Sequence, residues 1–334
     1  MKEEGRLNQG FKMTAGSRSV RFYVLVLAVT IAALGLNALI FADDTAPAAS
    51  ASASAIFASH TVFPKDNPWN ADISKLPVDP KSDAYIAAIG ANKPLHPDFG
   101  SIYGIPFQFV DHKAPRSPVT FDYADESDKG PYPIPAHPLI EGGQGATEGD
   151  RHILLIDPDD WILFELWQGV KQPDGSWHAG SGAIWDLKIN ATRPKGWTSA
   201  DAAGLPIFPG LVRYDEVHEK RLIAHALRFT VQRTRRAYVF PASHWASSSN
   251  NPNLLPMGAR VRLRHDFDIS SFDPDVQVIL TALKTYGLIL ADNGSDWYIS
   301  GAPDDHWNDD ILHQLARVKG KDMEVVELGD VVTR

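Results

Sequence analysis

The chain has 334 residues, a formal net charge of −9 and no cysteine. Without cysteine there is no disulfide, no thiolate nucleophile and no cysteine metal site. Residues 1–42 hold five Lys/Arg against two acids, so the remainder carries −12, which argues against nucleic acid or anionic lipid as a partner.

A basic flank, Arg18 and Arg21, leads into Phe22 to Ala42, an apolar run of 21 residues without a charge. As a helix it is about 30 Å long, matching a hydrocarbon core. Two readings stay open. A retained anchor suits the length; a cleaved export signal suits the alanine content, Asn37 and the small-residue sites Ala46-Pro47-Ala48 and Ala51-Ser52-Ala53. Met13 is an alternative start that leaves a compact basic leader. Both readings keep the basic end inside and put the rest in a secreted or periplasmic setting, with a single N-terminal tether if uncut. Residues 43–60 read as a flexible Ala/Ser/Pro linker, and residues 61–334 as the exported domain.

Within that domain, short apolar stretches alternate with turn signals. Strands are expected at Ile102 to Val110, Val119 to Tyr123, His152 to Asp157, Trp161 to Gln168, Leu222 to Val231, Ala237 to Phe240, Ala259 to Arg264 and Tyr286 to Asp292. Lys171-Gln-Pro-Asp-Gly-Ser is a turn, which makes Trp161 to Trp177 a hairpin; Gly180-Ser181-Gly182 reads as a flexible link. Helices are few. Asp273-Pro274 caps one over Asp275 to Thr285, ended by Gly287, and others are expected at Asp309 to Arg317, Ser82 to Ile89 and Thr198 to Ala203. The expected fold is mainly β with peripheral helices, a β-sandwich or jelly-roll-like single domain.

The sequence holds no G-x-S-x-G, H-E-x-x-H, P-loop or dinucleotide fingerprint. It does hold dense blocks of acids, aromatics and histidines around Trp185-Asp186, Arg213-Tyr-Asp-Glu216, His225 to Phe229, and Asp292 to Trp297. Flat rings for sugar faces and two carboxylates for acid–base work are the parts a glycan-cleaving site needs. Asp186 and Glu216 are the expected carboxylate pair, with His225 and Asp292 as further catalytic groups and Trp185 and Trp297 as stacking platforms. A hairpin turning at His218 to Arg221 would set Tyr214 opposite His225. With Arg213 or Arg228 as the neutralising cation, those are the parts of a uronate lyase. No cofactor is expected. Asp157-Pro-Asp-Asp and Asp292-Asn-Gly-Ser-Asp have oxygen ligands at spacings open to a structural calcium, while His218, Glu219 and His225 lack a zinc spacing.

Several blocks, Ala183-Ile-Trp-Asp-Leu, Asn190 to Ile207, Gly210-Leu-Val-Arg-Tyr-Asp-Glu-Val, His225-Ala-Leu-Arg-Phe-Thr, Pro256 to Leu263 and Tyr286 to Ser295, resemble a family of secreted proteins from soil bacteria, especially acidobacteria and actinobacteria. The resemblance spans roughly residues 62–330. It implies secretion and, because members are sometimes joined to carbohydrate-binding modules, a lean towards polysaccharides. It carries over no catalytic residue. The expected function is an exported glycoside hydrolase acting on a polysaccharide or cell-wall glycan. A non-catalytic glycan-binding protein and a polysaccharide lyase are the alternatives.

Overall fold

Parallel and antiparallel pairings mix in three stacked sheets. A computed structural model describes residues 49–333, so the apolar run, the alternative start and the Ala46-Pro47-Ala48 site lie outside the described residues. Among the described residues no helix is long and apolar enough to cross a membrane. In chain order the elements are α1 (Ala49–Ser59), α2 (Ser82–Ile89), β1 (His96–Asp98), β2 (Phe107–Phe109), β3 (Val119–Phe121), β4 (Ile153–Asp157), β5 (Ile162–Trp167), β6 (Val170–Lys171), β7 (Trp177–Ala179), β8 (Ser181–Asp186), β9 (Leu227–Val231), β10 (Arg260–Leu263), α3 (Pro274–Thr285), β11 (Leu288–Asn293), β12 (Tyr298–Ser300), α4 (Asp309–Leu312) and β13 (Met323–Val325). The body is mainly β with peripheral helices, as the alternation of short apolar stretches predicts.

The sheets have the orders β1-β12-β9-β11-β10-β13, β2-β4-β5-β8 and β3-β7-β6. The middle one explains the near-continuous apolar reading of β4. Leu154 and Ile156 join Leu163, Ala183 and Trp185 in the main core, while Ile153 and Leu155 join Phe164, Leu166 and Trp177 in a second, smaller core. A strand buried on both faces has no polar side to show. The smaller core is closed by the three-stranded sheet, where the Gln-Pro-Asp-Gly-Ser turn joins β6 to β7 rather than β5 to β7. Gly180-Ser-Gly is no flexible link: it opens β8, which pairs along the whole of β5.

Helix α3 forms as its signals require. The Asp273 side chain accepts from Asp275 N, Pro274 follows, and Val276, Ile279, Leu280 and Leu283 are buried. Residues 198–203 are not helical. The Ser199 hydroxyl donates to Leu205 O and accepts from Asp201 N, so local side-chain bonds replace the helical ladder. Ala237 to Phe240 makes only isolated bridges, Tyr238 to Met257 and to Val332.

Two further differences matter for function. The segment expected as a flexible linker is helical over Ala49–Ser59. Phe57 from α1 is buried against Phe107, Phe109, Trp161 and Phe208, under the Arg213 guanidinium 4.4 Å from its ring. The expected hairpin after Arg213 is absent too. Asp215–Glu219 forms a π-helical turn, Arg221 takes a φ of 56°, and the strand begins only at Leu227.

Candidate functional site

Four neighbouring strands of the six-stranded sheet bring one row of polar side chains together. Asp98 on β1 aligns with Ser300 on β12, and β12 runs antiparallel to β9 with Tyr298 opposite Thr230, which sets Ser300 opposite Arg228. Aligned residues share a sheet face. On β11 the register with β9 slips between Leu290 and Asp292, so Asp292 pairs with Thr230 instead of Val231. This bulge turns Asp292 from the apolar face of Phe229 and Val231 to the face of Arg228.

Arg228 is the hub. It is buried and donates through Nε and Nη2 to both oxygens of Asp201, each at 2.8 Å. Nη1 donates to Ser300 Oγ at 2.6 Å, and Nη2 also reaches Asp292 Oδ2 at 3.3 Å. Burial works against the charged guanidinium, but Asp201 and Asp292 outweigh it and raise its pKa. Asp201 is supplied by the 198–204 loop, which also carries Ala200, whose carbonyl accepts from His152 Nε2 at 3.2 Å. His152 stands at the entry to β4 in the middle sheet, so this loop ties the two sheets through one charge network.

On the other ring nitrogen, His152 Nδ1 donates to Glu141 Oε2 at 2.6 Å, and Glu141 N donates to His152 O. Both ring nitrogens thus face acceptors, the pattern of a charged imidazolium. Burial opposes that charge, yet the hydrogen bond to Glu141 and its negative charge raise His152 to about 9. In return, although burial would raise Glu141, the bond from His152 and its charge hold it below the ordinary carboxylate range. Asp292 goes the other way. Burial and the charge of Asp201 outweigh Arg228 and push it up to about 7. Asp98, at the solvent edge of the row, is also raised, first by the protein packed around it and then by Glu141 and Asp150. Asp292 and Glu141 both keep part of their side chains open to water. The cluster is therefore a charge network around buried Arg228, with carboxylates of opposed acidity that water partly reaches.

The other expected site residues are placed differently. Asp186 and Glu216 do not pair: Asp186 caps its own turn through Lys188 N, with Lys188 Nζ 3.9 Å away, whereas Glu216 is buried between Arg213 at 2.9 Å and His225 at 3.1 Å. Arg213 and then His225 keep Glu216 below its usual range despite burial. His225 Nδ1 lies against Ala226 O, so both ring nitrogens are engaged in this clamp. Tyr214 does not meet His225; its ring stacks on His218, with centroids 5.0 Å apart, because the π-helical turn replaces the hairpin. Trp185 and Trp297 are no stacking platforms. Both are buried, donating to Glu165 and to Gly90 O respectively, and Trp185 borders a small apolar pocket of about 50 Å³ together with Trp69. Among the expected residues the structure brings together two pairs, Glu216 with His225 in this buried clamp and Arg228 with Asp292 in the polar row.

The calcium expectation divides likewise. Asp292 turns to Arg228 while Asp296 turns to Lys93 and Gln232 N, so that pair does not converge. Asp157 accepts from Asp159 N and Asp160 N within its own turn, and groups with Asp160 and His112. Glu141, Asp150 and His152 also group closely enough to hold a cation. The proton shared along the Glu141–His152 bond would have to leave first.

Asp98, Glu141, His152 and Asp201 carry the site without having been singled out in the sequence. Asp150-Arg-His152 at the head of a doubly buried strand was a usable signal for two charged groups entering the core. No family model, curated protein or solved structure matches the chain, and the site rests on its own geometry.

Proposed function

We propose that the protein is an exported carbohydrate-active enzyme, a glycoside hydrolase whose acid–base pair is Asp292 and Glu141. The observation that carries this reading is a pair of partly exposed carboxylates in one charge network, Asp292 on Arg228 at 3.3 Å and Glu141 on His152 at 2.6 Å, displaced in opposite directions. Asp292 keeps its proton to about 7, and Glu141 is kept ionised by His152. Carboxylates pushed apart in acidity divide into an acid and a base. Asp292 donates its proton to the glycosidic oxygen as the bond to the leaving sugar breaks. Glu141 attacks the anomeric carbon or takes the proton of the attacking water. Asp98 offers an acceptor to sugar hydroxyls, and Arg228 orients Asp292 and restrains its rise in pKa.

The acidity of the carboxylate cluster disfavours a uronate polymer, and the separation of Tyr214 from His225 removes the proton-abstracting pair a lyase would use. The test is to incubate the full chain with soil and cell-wall polysaccharides, reading reducing ends and the absorbance of unsaturated products together. Reducing ends without absorbance support hydrolysis; both together indicate a lyase. Binding without either leaves a non-catalytic glycan-binding protein.

A further inference from the structure

Alternation along β1 and β12 puts His96 and Tyr298 on the same sheet face as Asp98 and Ser300, two residues away, about 6.5 Å along the strands. There the sheet edge opens into a cavity of about 340 Å³ lined by Lys93, Pro94, His96, Gln232, Asp296 and Tyr298. That volume lies at the lower end of small-molecule sites, roughly 300–1,000 Å³. His96 and Tyr298 are aligned in register and stacked, with centroids 4.1 Å apart, which stiffens both rings. Lys93 and Asp296 neutralise one another at 2.6 Å. Burial lowers His96, so its ring is uncharged near neutrality. The walls thus combine aromatic surface, an amide and a closed ion pair, with no excess charge.

We infer that this cavity is a second sugar subsite, taking the uncharged pyranose next to the one being cleaved, so that the substrate is a neutral glycan laid along the β1 edge. The inference rests on the hydrolase reading for the direction of the chain, not for binding itself. An open, net-neutral, ring-lined recess on the same two strands as Asp98 and Ser300 suits neither a phosphate nor a uronate. A hydroxyl-rich ring fits it through stacking and hydrogen bonds to Gln232, Lys93 and Asp296.

The test uses the full chain, with cellohexaose, xylohexaose, chitohexaose and hexagalacturonate as probes. Gln232→Trp fills the exposed wall, and Lys93→Ala opens the ion pair; both sites are exposed, and thermal melting checks that each variant folds. A neutral hexamer should bind Asp292→Asn protein, and the additional Gln232→Trp or Lys93→Ala change should weaken it about tenfold. For wild-type catalysis, the ratio of kcat/KM on the hexamer to that on the dimer should fall about tenfold in either cavity variant. Equal hexamer binding with and without the cavity changes overturns the subsite, as does tighter binding of hexagalacturonate than of every neutral hexamer. A neutral hexamer that binds through the cavity yet is never cleaved overturns the hydrolase reading and leaves the subsite standing.

Discussion

Asp292 meets Arg228 because β11 carries one residue more than its partner strand between Leu290 and Asp292. Without that bulge the carboxylate would pair with Val231 and enter the apolar face of the sheet. The same extra residue therefore avoids an unpaired buried charge and completes the polar row around Arg228.

Asp292→Asn keeps shape and hydrogen bonding but removes the proton. On a polysaccharide that proves to be cleaved under the proposed reading, kcat should fall roughly 10²–10⁴-fold with little change in KM. Wild-type activity should decline as pH rises through about 7, where Asp292 ionises. That limb should be absent from the residual activity of the variant. A wild-type profile flat across this range would count against Asp292 as the acid.

His152 should make stability depend on pH. Its folded value, about 9, lies above the ordinary 6.5, so the stabilisation is complete below 6.5 and is lost as pH rises to 9. The displacement corresponds to roughly 3 kcal/mol. Asp292 and Glu165, both raised to about 7, weaken the fold over lower pH, which leaves pH 7–9 to His152. Urea unfolding at pH 7 and 9 should show the loss in the wild type and much less of it in His152→Gln.

Phe57→Ala tests whether α1 belongs to the body. The ring is buried among four aromatics and beneath Arg213. Its removal should cost roughly 3 kcal/mol, read as a lowered denaturant midpoint. A free linker would give a change within about 0.5 kcal/mol.

Glu216→Gln should separate structure from chemistry. Arg213 loses one of its carboxylates and His225 its one carboxylate partner among the described residues, so stability should fall by roughly 3 kcal/mol. Activity per folded molecule should persist. Asp186→Asn, at a turn cap next to an exposed lysine, should change both by little. A collapse of kcat in folded Glu216→Gln would return that residue to the reaction.

The periodic elements were legible because their signals are local. The Asp273-Pro274 cap, the apolar stripe of α3 and the Ile153 to Ile156 run each specify a structure within a few residues. The site was legible only at Arg228 and Asp292. Asp98 and Tyr298 lie on three-residue strands, β1 and β12, too short to show a period, and their alignment is set by long-range register. Trp185 and Trp297 misled for a related reason. A tryptophan beside an aspartate reads alike whether the ring faces a ligand or fills a core, and here Glu165 and Gly90 claim the indole N–H groups. Tyr214 and His225 were separated by a π-helical turn that no turn residue announces.

The loop holding Ala200 and Asp201 serves two sheets at once, receiving His152 from one and Arg228 from the other. Any loosening between the layers pulls His152 and Glu141 away from Arg228 and Asp292 while each strand ladder remains intact. Heated slowly, such a protein should lose the contact between its layers before it melts, while circular dichroism still reports native sheets. The temperature range over which the polar row stays assembled is then set by the grip of one short loop rather than by the strength of its cores.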